Sequence, residues 1–242
     1  MKMISIAVRL AAPALILALA LMAVSGLKFG ATAFQATPPP VGCDTATPSA
    51  SPMVEDDAGT MEMGAGTPMA GMAMDVEFDQ LYIDMMLPHH GSIVAMSQAA
   101  LPLIEDERLR TIAQRIIDTQ TAEQAELQEY RELFYGSPDV GSMDATGMDA
   151  MMMAMPGMGT MDEMIFQMDA AAQVAAICAA PDVDLAFIDL AIPHHEMAIA
   201  ASETAVTQAV HPEITAFAQR VIADQSAEID ELTAIRVDLA GQ

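Results

Sequence analysis

Ile83-Asp84-Met85-Met86-Leu87-Pro88-His89-His90 returns later in the chain as Ile188-Asp189-Leu190-Ala191-Ile192-Pro193-His194-His195. The register continues without a gap. Ala113-Gln114-Arg115 answers to Ala218-Gln219-Arg220, and Gln120, Ala122, Glu123, Glu126 and Leu127 answer to Gln225, Ala227, Glu228, Glu231 and Leu232. Self-similarity at a fixed offset marks a duplicated structural unit. Four of the five histidines lie in the two motifs, so imidazoles occupy two equivalent settings and almost nowhere else. That pattern predicts a pair of related metal pockets, one in each copy.

Around each motif the apolar residues follow a helical period. In the first copy one helix is predicted over 75–101, closed by Pro102 and the acidic turn Glu105-Asp106-Glu107, and a second over 108–134, ended by Gly136-Ser137-Pro138. In the second copy the first helix spans 182–209, and His211-Pro212-Glu213 opens the next with proline in its first turn. A lone two-helix hairpin cannot bury its apolar faces. The copies, 75–136 and 182–242, are therefore expected to pack together as an all-α four-helix bundle. Between them, 137–181 reads as a disordered Met- and Gly-rich linker followed by one extra apolar helix over 161–179, lying against the bundle's side.

Composition agrees with helices. The 242 residues are 53% hydrophobic but only 4% aromatic, with no Trp and 23 Met. The formal charge of −25, from 34 acidic and 9 basic residues, repels nucleic-acid phosphates and attracts cations. Nucleic acid is thereby excluded as a partner, and metal ions are favoured. At the N-terminus Lys2 and Arg9 flank an apolar stretch from Leu10 to Val24, followed by the small-x-small Ala31-Thr32-Ala33. Residues 1–33 read as a secretory signal peptide or an uncleaved membrane anchor, and either puts the rest of the chain outside the cytoplasm. Residues 34–74, with Pro38-Pro39-Pro40 and many Thr, Ser, Gly and Met, read as a disordered tether. Cys43 and Cys178 are the only cysteines. They either pair as a disulfide that ties the tail to the body or remain two free thiols.

The chemistry gathers on helix faces. Met85, His89 and Met96 share one stripe of the first helix, His194 and Met197 the corresponding stripe of its repeat, and His90 and His195 lie further round. On the second helices, Gln120 with Glu123 and Gln225 with Glu228 fall inside the apolar stripe. A buried carboxylate needs a partner, and the facing histidines are the obvious ones. Pro88 and Pro193 free the carbonyls of Asp84 and Asp189 just before the histidine pairs. The expected ligands are thus Met85, His89, His90 and Met96 in one copy and His194, His195 and Met197 in the other. Asp84, Asp189, Gln120, Glu123, Gln225 and Glu228 stand as supporting or alternative donors. Thioether suits Cu(I) and imidazole suits Cu(II) as well. Runs such as Met69-x-x-Met72-x-Met74 and the series from Met148 to Met168 add further soft donors, although methionine also fills gaps in helical cores.

Taken together, Phe78, Tyr82 through His90, Met96, Gln120 and Glu123, then Phe187 through Asp189, Ile192 through His195, His211-Pro212-Glu213, Gln225 and Glu228 resemble the CopM-like family of bacterial exported proteins. The resemblance covers both copies. It implies a ferritin-like helical bundle and copper binding through Met and His, hence exported copper sequestration, resistance or delivery rather than catalysis. The second copy has Leu190-Ala191 in place of the Met pair and Ala201 in place of Met96, so its pocket is expected to be poorer in sulfur. Two other readings compete. One is a structural or interaction bundle, or a methionine oxidant scavenger. The other is a ferritin-like di-iron oxidase, which requires Glu-x-x-His, and no histidine here has Glu three residues before it. There is also no Gly-x-Ser-x-Gly or His-Glu-x-x-His.

Overall fold

Four of the helix starts among the described residues are set by oxygen-bearing side chains that accept from the unpaired N–H groups of a first turn. In the computed structural model, which describes Cys43 and residues 77–141 and 145–241, Asp106 accepts from Arg108 and Leu109 and so opens the helix Glu107–Tyr135. Thr160 and Glu163 form a reciprocal capping box, and Asp169 and Asp182 cap two more helices. Seven helices result among the described residues: α1 (Phe78–Ala100), α2 (Glu107–Tyr135), α3 (Ala145–Ala154), α4 (Met161–Met168), α5 (Ala170–Cys178), α6 (Val183–Gln208) and α7 (Pro212–Ala240). The segment 1–33 read as signal or anchor, and the tether 34–74 apart from Cys43, lie outside the described residues.

The hairpins expected from the repeat are α1–α2 and α6–α7, and they pack as a four-helix bundle. Tyr82 and Ser202 share a hydrogen bond of 2.7 Å, and His89 meets His194, so α1 and α6 run antiparallel. Arg115 reaches Glu231, and Arg220 reaches Glu126, which sets α2 antiparallel to α7. The repeats also hold each other's turns. Asp79, almost wholly buried near the start of α1, accepts from the backbone N–H groups of Val210 and His211 at the α6–α7 turn, at 3.0 and 2.8 Å. Asp184, its equivalent in the second copy, accepts from Glu105 and Asp106 at the α1–α2 turn, at 2.8 and 2.9 Å.

Apolar side chains form two clusters along the bundle. One holds Tyr82, Met85, Met86, Met197 and Phe217; the other holds Ile93, Met96, Ile112, Ile116 and Phe187. Between them in α1 and α6 come the histidine pairs, so the core is divided by a polar layer.

Two features depart from the linker reading. Part of the stretch expected to be disordered is the helix α3, and Met151, Met155 and Met158 are buried in the first cluster beside Met164. Unbranched thioether side chains can fill an irregular gap without an aromatic or β-branched pattern, which is why composition alone hid the packing. Gly157 and Gly159, at φ of 98° and 88°, turn the chain from α3 towards α4. The single extra helix is two, broken at Asp169. There the N–H groups of Ala171 and Ala172 bind the Asp169 carboxylate at 2.9 and 3.0 Å, and the freed Gln167 carbonyl turns inward. Cys43 and Cys178 form a disulfide.

Candidate metal centre

Four imidazoles, all fully buried, come from two helices that cross at the motif. The ring centroids of His89 and His194 lie 3.6 Å apart with their planes inclined by 32°. His90 is 6.1 Å from His89, and His195 is 6.2 Å from His194. The expectation of one pocket in each copy is corrected here: antiparallel packing of α1 on α6 puts the copies face to face, so the histidines share a single central layer.

Burial, reinforced by the neighbouring imidazoles His90 and His195, holds His89 well below the ordinary imidazole range. His194 is held down likewise by burial and by His89, His195 and His90. Both rings are therefore neutral in ordinary buffers, and the tautomer of His194 follows from its surroundings. Its Nε2 lies 3.0 Å from the His89 carbonyl oxygen and 3.0 Å from the Ser92 hydroxyl. A carbonyl only accepts, and Ser92 has carbonyl acceptors of its own in His89 and Gln167. Nε2 must carry the proton. The Nδ1 lone pair is left without a partner among the described residues.

Glutamates from the second helices orient the outer rings. His90 Nε2 lies 2.9 Å from Glu123 Oε2, and His195 Nε2 lies 2.8 Å from Glu228 Oε2. The latter is an ion-pair distance with the ring turned off the line of a hydrogen bond. Burial opposes ionisation of Glu228, but His195 and Arg115, whose Nε is 3.1 Å from Oε1, outweigh it and hold the carboxyl below its usual range. An imidazole that gives one nitrogen to a carboxylate offers the other to a ligand. Nδ1 of His90 and Nδ1 of His195 are both unpartnered, as are both nitrogens of His89.

The remaining expected donors divide. Glu123 and Glu228 meet the histidines as anticipated. Gln120 and Gln225 are buried beside them, and both amide atoms of each lack a partner. Asp84 and Asp189 do not join the layer: their carboxylates pair with Arg131 and Arg236 on the second helices of their own hairpins. Met85 and Met197 belong to the cluster on one side of the histidines, and Met96 to the cluster on the other. Among the described residues no group of three or more His, Cys, Asp or Glu is arranged to hold a metal ion. An ion in this layer would have to draw on thioether as well as imidazole. The donor set fits that demand, with neutral rings at His89 and His194, free nitrogens, and sulfur in the adjoining cluster.

Ser92 was not singled out by the sequence, and nothing marks it there, since it stands where the second copy has Met197. Asp79 and Asp184 were also overlooked. Their signal was an acid at the same position of each first helix, which reads at first sight as a first-turn residue facing the helix dipole. His211 lies in the turn outside the layer, its Nδ1 2.7 Å from Asp79 and its ring stacked on Phe134 at 3.8 Å.

Comparison with known proteins places this geometry in a family. The family described as "Domain of unknown function (DUF305)" matches residues 41–131 and, overlapping them, residues 79–236. Among solved structures, CopM in its Cu(I)-bound form is similar, with a TM-score of 0.54 and 26% identity over 66% of this chain and 96% of that one. CopM in its Cu(II)-bound form gives a TM-score of 0.53 at 26% identity, over 66% and 97% of the two chains. A DUF305 protein from Streptomyces coelicolor shares the fold, with a TM-score of 0.54 at 21% identity over 67% of this chain and 93% of that one. No curated protein matches at a significant level.

Proposed function

The chain belongs to the DUF305 family, and on that premise we propose that it binds copper, sequestering or delivering the ion outside the cytoplasm. The observation that carries this reading is the layer of four buried imidazoles with unpartnered ring nitrogens. An unsatisfied buried polar group costs about 1–3 kcal/mol, and a bound cation is the ligand that would offset several at once. Imidazole accommodates both oxidation states and thioether favours Cu(I), so Met85 and Met197, or Met96 on the other face, would complete the donor set with His89, His90, His194 and His195. That CopM has been solved with Cu(I) and with Cu(II) supports the choice of metal. The Cys43–Cys178 disulfide supports an oxidising compartment, in keeping with the N-terminal apolar stretch.

Among the described residues, burial of methionine weighs against the oxidant-scavenger alternative. Met153, 79% exposed, is the one exposed methionine among those described, and the others are shielded to differing degrees. A purely structural polar layer remains the reading to separate experimentally. Wild type and the His89→Ala/His194→Ala double variant should be titrated with Cu(I) and Cu(II) while following thermal unfolding. At a hundredfold excess over Kd, one specific site stabilises the wild type by about 2.7 kcal/mol. Stabilisation of the same size in the variant sinks the proposal.

A further inference from the structure

Fully buried imidazoles need a route by which an ion reaches them, and one solvent-facing cavity touches their partners. A cleft of about 330 Å³ between α2 and α7 is lined by Gln120, Glu123, Gln225 and Glu228 in its floor and by Arg115, Asp224 and Glu231 higher up. Gln120 and Gln225 are 2% and 3% exposed, and neither the amide oxygen nor the amide nitrogen of either has a hydrogen-bond partner. Each buried glutamine thus presents an unsatisfied carbonyl oxygen beside a carboxylate that already touches a histidine.

The two halves of the cleft differ in one respect. Arg115 crosses it to bind both Glu228 and Glu231, at 3.1 and 3.0 Å. Its equivalent in the second copy, Arg220, binds Glu126 at 2.6 Å and lies over the Phe217 ring. Glu228 is therefore neutralised by a guanidinium, whereas Glu123 has no such counter-charge in the cleft. With Asp224 and Glu231 on the wall, four carboxylates face one guanidinium.

We propose that the floor of this cleft is a divalent-cation site built from oxygen donors. The amide oxygens of Gln120 and Gln225 act with the carboxylates of Glu123 and Glu228, and the site passes ions to the imidazoles behind. The hand-over rests on the copper reading above; the oxygen-donor site does not. Carboxylate and amide oxygens suit Mn(II) and other hard divalent ions, so the cleft differs in ligand class from the imidazole and thioether layer.

Mn(II) titration of the full chain, followed by electron paramagnetic resonance, tests the site. Gln120→Leu/Gln225→Leu removes the amide donors and keeps the side-chain volume close; it should weaken Mn(II) binding by about tenfold or more. Arg115→Gln, a change at a half-exposed side chain, removes a competing cation and should tighten binding by about tenfold, on the order of one screened charge interaction. Mn(II) affinity that both variants leave unchanged shows diffuse attraction to an acidic surface and overturns the site. Copper uptake tests the hand-over. The glutamine variant should load copper more slowly than wild type, and loading at the wild-type rate overturns it. Failure of wild type to bind copper at all defeats the functional proposal while leaving the Mn(II) comparison intact.

Discussion

His194 shows how much a single side chain can determine. Because its Nε2–H is used on backbone and Ser92 oxygens, the ring has one lone pair to offer and one direction in which to offer it. The same burial has a consequence for acid stability. For His89 and His194 the folded-state pKa lies below the unfolded one, so the unfolded chain binds more protons between the two values. Their contribution is complete above about pH 6.5 and is lost as the pH falls below it, by up to about 1.4 kcal/mol per pH unit for each ring. Urea midpoints of the metal-free protein should therefore fall from pH 7.5 to pH 5.5, and a flat profile contradicts the buried neutral state. Glu228, held below its usual range, adds a second loss only in more acid solution. Glu228→Ala should itself destabilise by about 1–2 kcal/mol, since buried His195 loses its carboxylate partner while Arg115 keeps Glu231; equilibrium unfolding checks this. The ring-and-carboxylate pairing was legible because a Glu inside an apolar stripe demands a partner. Which rings face each other was not, since that depends on how the helices cross.

Among the elements, helix identity was written in period, caps and breakers, while helix interruption was not. The break at Asp169 releases the Gln167 carbonyl to Ser92, and an apolar stretch running on both sides of the aspartate conceals it. The buried methionines of α3 and the turn after it are hidden in the sequence because a segment rich in glycine and methionine has the composition of a linker while its thioethers still pack. The turn contacts are also an element-scale device. Asp79, nearly inaccessible and accepting several N–H groups of the α6–α7 turn, should cost about 2–3 kcal/mol when changed to Ala. Asp184→Ala, at a more exposed position, should cost about 1 kcal/mol. Chemical denaturation of the two variants checks both the size and the order, and a reversed order contradicts the burial argument.

In the molecule as a whole the two copies depend on each other, since each copy's first helix secures the other's turn. Thermal unfolding should consequently show one transition rather than two, and a separable low-temperature step for either hairpin contradicts this. The disulfide joins residues 135 apart in sequence, and closing so long a loop is worth about 4–5 kcal/mol through the unfolded chain. Reduction by dithiothreitol should lower stability by an amount of that order while leaving helix content at moderate temperature unchanged by circular dichroism. The bundle was legible as a whole because the repeat supplied two hairpins that could only bury themselves against one another. On one side of the histidines seven buried methionines, from α1, α3, α4, α6 and the turn between α3 and α4, share the wall with aromatic and aliphatic side chains. Side chains with three freely turning bonds yield where branched ones would jam. A guest that changes its preferred number of neighbours on gaining or losing an electron could thus be followed by rotamer changes in this soft lining, with the surrounding helices standing still.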